Sequence, residues 1–292
     1  VCQLMRVAWR TVGSVIGRVV ADARAVTDPF KNLRRIGIDE ISYKKGHRYL
    51  IVVVDHDTGA LVWAKAGRDK KTLNLFFDQL GPHRCLRIRL VSADAAEWIG
   101  DVVQTRCPNA VRCMDPFHVV QWCTDALDEV RRDVWNAARQ GGMKTLATDL
   151  KGARYALWKN PEDLTERQQG KLAWIAKVNT RLFRAYLLKE QLREVFKLRG
   201  ADGITLLKAW LAWASRSKLQ AFVDLARSIR NQLPAIHAAL THGLTNARVE
   251  AVNTKIRLQQ RVAFGYRDPE ALIAMAMLDL GGCCPPLPGR TT

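Results

Sequence analysis

The chain has 292 residues, with 46 Lys and Arg against 28 Asp and Glu, giving a formal net charge of +18 and a pI near 10.0. That excess points to a polyanionic partner, nucleic acid first. The length excludes a minimal single core in favour of one large domain with an insertion, or two domains. No apolar run reaches the roughly 18 residues of a spanning helix, and none has the order of a signal peptide, so a membrane protein is excluded and a cytoplasmic one expected.

The chain opens on Val1 rather than Met, inside a helical pattern, so an upstream segment is expected to be missing. From Met5 to Ala23, Val7, Val12, Val15, Ile16, Val19 and Val20 recur near helical spacing with Arg6, Arg10 and Arg18 between them. This predicts a basic amphipathic helix, with an interruption expected near Gly13. Two readings stand: the second half of a helix-turn-helix, or a linker helix packed on the main domain.

After Asp28 and Pro29 a strand-rich block begins. Ile36–Ile38 reads as a short buried strand with Asp39 at its end, and Tyr49–Val54 and Leu61–Ala64 follow, with turn chemistry at Asp57, Thr58 and Gly59. Lys70–Leu80 is predicted as a helix closed by Gly81 and Pro82. Leu86–Val91 is predicted as a strand delivering Asp94 just past its end. A helix over Trp98–Arg106 and a strand over Val111–Met114, reaching Asp115, complete a β-β-β-α-β-α-β order. That order is a mixed α/β pattern with an antiparallel start and parallel additions.

From His118 to about Leu240 only helical patterns occur, and Trp135, Trp158, Trp174, Trp210 and Trp213 are expected as core anchors before base-stacking platforms. A helix over Asn246–Val262 follows, and then a last helix with Asp268 and Pro269 as cap and first turn. The Gly- and Pro-rich tail from Gly281 is expected to lack regular structure. Seven scattered cysteines, including the vicinal Cys283 and Cys284, lack the paired spacings of a zinc site and are expected as free thiols of a reducing compartment.

Asp39 and Asp94, at the ends of neighbouring strands, suit a shared divalent cation. At about 4 Å and an effective dielectric near 20, two like charges cost roughly 4 kcal/mol, so an ion or a proton must offset them. All-oxygen ligation selects Mg or Mn over zinc. Glu250 is the candidate third acid. Asn246, Glu250, Asn253 and Arg257 are spaced by four, three and four residues, which predicts one polar helix face with Val249, Val252 and Ile256 pointing elsewhere. A plain solvent-facing stripe is the other reading of that spacing.

The blocks GIDEISYKKGHRYLIVVVDHDTGALVWA, VSADAAEWI, NAVRCMDPFHVVQWCTDALDEVRRD and NARVEAVNTKIRLQQRVAFGYRDPE, in this order over residues from about 34 to 280, resemble the DDE transposase domain of the ISL-three group of bacterial insertion sequences. The resemblance implies a ribonuclease-H-like mixed sheet with a large all-helical insertion before the last catalytic helix. It matches Asp39, Asp94 and Glu250 to the family's three acids, with two Mg2+ or Mn2+ ions on either side of a scissile phosphate. Ala95 and Ala96 stand where the family often has Met and Ser. The zinc-binding segment that members carry ahead of the catalytic domain is not found in this sequence.

The same resemblance keeps Asp115 and His118 near the active crevice in a supporting role, with capping and packing as the other reading of His118. Asn246 and Asn253 are further supporting candidates. Lys44, Lys45, His47 and Arg48 on the first hairpin, and Arg248, Arg257 and Arg261 on or beside the Glu250 helix, suit contacts to phosphate. The expected organisation is a basic helix over 1–30, a first core part over 31–125, a helical insertion over 126–240, a last core part over 241–280 and a flexible tail over 281–292. The implied function is metal-dependent cleavage and strand transfer of double-stranded DNA by a homo-oligomer at the nucleoid. A non-catalytic DNA-binding remnant and a ribonuclease-H-like nuclease or resolvase are the alternatives.

Overall fold

The computed structural model describes residue 6 and residues 8–94 and 96–285; Cys2, Met5, Val7, Ala95 and the tail from 286 lie outside the described residues. The described residues form two compact units, one drawn from within 1–113 and 245–285 and the other from 114–244.

The first unit is built on a five-stranded sheet of order β3-β2-β1-β4-β5, with β1 Arg35–Lys44, β2 Arg48–Asp55, β3 Leu61–Ala66, β4 Leu90–Ala93 and β5 Val111–Met114. β1 pairs antiparallel with β2 and parallel with β4, and β2 pairs antiparallel with β3. Alternation along β1 and β2 divides the core. Ile36, Ile38, Ile51 and Val53 face one side, where they pack with Leu73, Phe76 and Phe77 of α2 (Lys70–Leu80) and with Ile99, Val102 and Val103 of α4 (Glu97–Arg106). Ile41, Leu50, Val52 and Val54 face the other, against Val249, Val252 and Ile256 of α13 (Ala247–Val262) and Leu272, Ala276 and Met277 of α14 (Pro269–Leu280). Fully burying each such side chain stabilises the fold by about 1.5–3 kcal/mol, so both helix layers are strongly held to the sheet.

Several predicted elements shift. β1 is ten residues long, so Asp39 lies in its middle rather than at its end. β4 starts at Leu90 rather than Leu86: Pro82 opens a short helix, α3 (Pro82–Cys85), and Leu86 is left exposed beyond it, where it cannot serve a core strand. Asp268 caps α14 as expected, accepting from the Glu270 N–H at 3.0 Å. The basic helix α1 (Trp9–Val26) runs without a break at Gly13. Val20, Ile16 and Ala23 of α1 pack into the second cluster, and Arg24 donates to the Val62 carbonyl at 2.6 Å. The apolar stripe of α1 is therefore used within this unit, which favours the packed-helix reading.

The second unit is all-helical. Its longest helices are α5 (Pro116–Gln140), α9 (Thr180–Lys197), reached through α6 (Lys144–Lys151), α7 (Arg154–Trp158) and α8 (Glu166–Val178), and α10 (Gly200–Arg216), followed by α11 (Gln220–Asn231) and α12 (Leu233–His242). Of the five tryptophans expected as core anchors, Trp210 is wholly buried, its indole N–H donating to the Leu188 carbonyl at 2.8 Å. Trp135, Trp158, Trp174 and Trp213 are only half-buried. Arg139, Arg154 and Lys171 lie over the Trp135, Trp158 and Trp174 rings at 4.7, 3.8 and 4.6 Å. The amphipathic indole accepts a wet edge under a cation, which helical spacing alone does not reveal.

Five of the described cysteines are buried and Cys284 is exposed, all of them as free thiols. Among the described residues no helix is long and apolar enough to cross a membrane.

Candidate catalytic site

The parallel register of β1 and β4 pairs Gly37 with Ser92 and Ile38 with Ala93. The next residues in sequence are Asp39, within β1, and Asp94, one past the last residue of β4. Asp39 Oδ1 accepts from the Glu40 N–H at 2.7 Å, and its Oδ2 accepts from the Asn253 side-chain amide at 2.6 Å. The Arg112 guanidinium donates to the Asp94 backbone carbonyl at 2.6 Å. Burial lowers the Arg112 pKa, opposed by the charge of Asp94. Glu40, half-buried on the opposite side of β1 from Asp39, has its pKa raised by burial, opposed by its ion pair with Arg68 and reinforced by the negative charge of Asp94.

Helix α13 is held by a second polar contact. His56, just past β2, has Nε2 2.6 Å from Ser92 Oγ on β4, and the Ser92 hydroxyl donates to Asn246 Oδ1 at 2.5 Å at the start of α13. Since that hydroxyl gives its proton to Asn246, it accepts from a protonated Nε2 of His56. Burial, reinforced by the charges of Arg248 and Arg35, pushes the His56 pKa down to about 4, so the ring is neutral near pH 7. Gly37 makes this closeness feasible, because a Cβ there would lie 2.2 Å from Val249 Cγ2 and 2.8 Å from His56 Nε2. None of His56, Ser92 or Gly37 was singled out from the sequence. The one available signal was a glycine inside an apolar strand, which marks a close approach.

The polar face expected on α13 is split. Asn246 and Asn253 are buried together with Val249 and Ile256, at spacings of three, four and three, whereas Glu250 and Arg257 are exposed. A helix turns 100° per residue, so the four-three-four stripe is wide enough to straddle the boundary between core and solvent. Asn253 thus meets Asp39 while Glu250, one turn earlier, faces outward. Among the described residues no group of three His, Cys, Asp or Glu is close enough to hold a metal ion. The donor set nevertheless suits a hard divalent cation: one carboxylate on β1 and one just past β4, with Asn253 Oδ1 buried and lacking a hydrogen-bond partner among the described residues.

Lys44, Lys45, His47 and Arg48 are exposed on the β1–β2 hairpin, where Gly46 and His47 take left-handed φ values of +83° and +57°. Arg248 donates to the Asp57 carbonyl at 3.0 Å, and Arg257 and Arg261 are exposed along α13. Asp115 and His118 belong to the helical unit. Asp115 is buried and caps α5, and its Oδ2 lies 4.0 Å from His118 Nε2.

A family model described as a transposase, of the DDE type and the ISL-three group, matches residues 36–276. The chain belongs to this transposase family. The transposase is 58% identical, over an alignment 309 positions long, to the transposase for insertion sequence element IS1557 of Mycobacterium tuberculosis, covering 99% of this chain and 70% of that protein. It is also 29% identical over 272 residues to the transposase for insertion sequence element IS1001 of Bordetella parapertussis, covering 92% of this chain and 66% of that one.

Proposed function

We propose that this transposase cleaves DNA at the ends of its insertion sequence and joins them to a target, with Asp39, Asp94 and Glu250 holding two divalent ions, Mg2+ or Mn2+. What supports this reading is the β1–β4 register, which runs up to the residues just before Asp39 and Asp94, together with the Asn253 bond that ties Asp39 to the helix of Glu250. When bound, such ions activate a water or a 3′-hydroxyl and stabilise the leaving oxygen.

The remaining work falls to this chain's own side chains. Asn253 fixes the orientation of the Asp39 carboxylate. Asn246, held through Ser92 and His56, sets where α13 begins and hence where Glu250 is presented. Lys44, Lys45, Arg48, Arg248, Arg257 and Arg261 position the DNA through its phosphates. Asp115 orients His118, which supports the reaction from the start of α5. The all-helical unit is an insertion into the ribonuclease-H-like domain, and the protein acts on double-stranded DNA as a homo-oligomer at the nucleoid.

Incubation with pre-cleaved element-end DNA and Mg2+ or Mn2+ tests the reading. Strand transfer is expected, and Asp94→Ala is expected to abolish it with DNA affinity nearly unchanged. An Asp94→Ala protein as active as the parent removes Asp94 from the site. Structure-selective cutting without joining identifies a resolvase-type nuclease, and DNA binding with neither step identifies a binding remnant.

A further inference from the structure

Helix α13 ends in a Schellman motif: the Phe264 N–H donates to the Arg261 carbonyl at 3.1 Å and the Gly265 N–H donates to the Gln260 carbonyl at 2.8 Å. The left-handed residue of that motif is Phe264, with φ +54°. Glycine is the default there, because a Cβ crowds the backbone. Phe264 receives no packing in return, since its side chain is fully exposed, at 101%. Leu258 and Val262, on the last turns of the same helix, are 58% and 72% exposed. Arg257, Arg261 and Arg267 stand exposed around this apolar tip.

A bulky aromatic kept in a left-handed position without internal contacts points to an external one. The guanidinium groups around it select a polyanion, and they oppose a second copy of a chain that carries a net charge of +18. Aromatic side chains bind nucleic acid by stacking on or wedging between bases while neighbouring arginines take the phosphates.

We propose that Phe264 is a base-stacking wedge that engages an unpaired or unstacked base of the bound DNA. The proposal rests on the transposase reading, in which α13 lies against DNA. Fourteen residues at 1.5 Å each place Phe264 roughly 21 Å along the helix from Glu250. Where the duplex follows α13, the wedged step is about six base pairs from the cleavage point.

The test uses the full chain and a forked DNA duplex carrying 2-aminopurine at the first unpaired position. The parent protein is expected to change the 2-aminopurine fluorescence. Phe264→Gly is expected to lose that change and to bind the fork about tenfold more weakly. Its thermal unfolding temperature is expected to stay the same or rise, because glycine suits the left-handed φ. Phe264→Trp is expected to restore both signals, and the slope of log affinity against log salt is expected to be the same in all three proteins, since no phosphate contact is removed. Affinity and fluorescence unchanged in Phe264→Gly overturn the proposal. So does a loss of binding accompanied by a lower unfolding temperature, or an altered oligomeric state with the fluorescence change intact. Asp94→Ala in the same assay separates the two readings: retained fluorescence with lost cleavage supports both, while retained cleavage removes the acid site and leaves the Phe264 result to stand on its own.

Discussion

The side-chain amide of Asn253 donates to Asp39 Oδ2 at 2.6 Å, joining a strand and a helix that lie 214 positions apart in the chain. Asp39 is thereby held in a fixed orientation, and α13 gains a polar anchor to the sheet beside the one that Asn246 makes through Ser92. The bond makes the acid site and the packing of α13 a single feature.

Asn253→Ala removes a donor to a charged acceptor and is expected to lower unfolding free energy by about 2 kcal/mol in urea titration. Asn253→Asp sets another anion beside Asp39 and is expected to cost more in EDTA, with part of the loss recovered when Mg2+ is added. A Mg2+-independent midpoint for Asn253→Asp argues against an ion at Asp39.

Gly37→Ala drives a methyl to 2.2 Å from Val249 Cγ2, a distance no relaxed core accepts. The expected cost is about 3 kcal/mol by overpacking, with strand transfer lost as α13 is pushed off β1. Adding Val249→Ala opens room for that methyl, so the double variant is expected to be more stable than the sum of the single losses. A double-mutant cycle in urea reads the coupling directly.

His56 is held neutral in the folded protein, its pKa depressed to about 4 by burial and the charges of Arg248 and Arg35. The unfolded chain binds that proton near pH 6.5, so this group's stabilisation is whole above pH 6.5 and is lost as pH falls from there towards 4. The loss is expected to reach up to about 3 kcal/mol. Thermal unfolding between pH 7 and pH 4.5 should show a smaller decline in His56→Gln than in the parent, because glutamine has no proton to gain.

Lys189 is 1% exposed, and its ammonium group donates to the Leu157 and Lys159 carbonyls at 2.8 and 3.2 Å while pairing with Glu190 at 2.5 Å. It thereby satisfies the carbonyl end of α7. Lys189→Met keeps the length of the side chain but leaves those carbonyls without a donor. The expected cost is about 2 kcal/mol in urea unfolding.

Local patterns in the chain determined much of this protein. Apolar runs bounded by turn residues marked β2 and β3, turn and cap residues set the limits of α2 and α14, and the ordered blocks around Asp39, Asp94 and Glu250 pointed to the transposase family. Each of these signals is short-range, set by side-chain period or by a residue's backbone preference, so it is written where it acts. Only the tertiary structure decided the length of β1, the late start of β4 and the split of the α13 stripe, because a strand ends where its partner ends and a helix face is buried only by what packs on it. The same holds for His56, Ser92 and Gly37. Apart from a glycine inside an apolar strand, nothing in their own neighbourhoods marks them, and they become a unit only where β1, β2, β4 and α13 close around one small space.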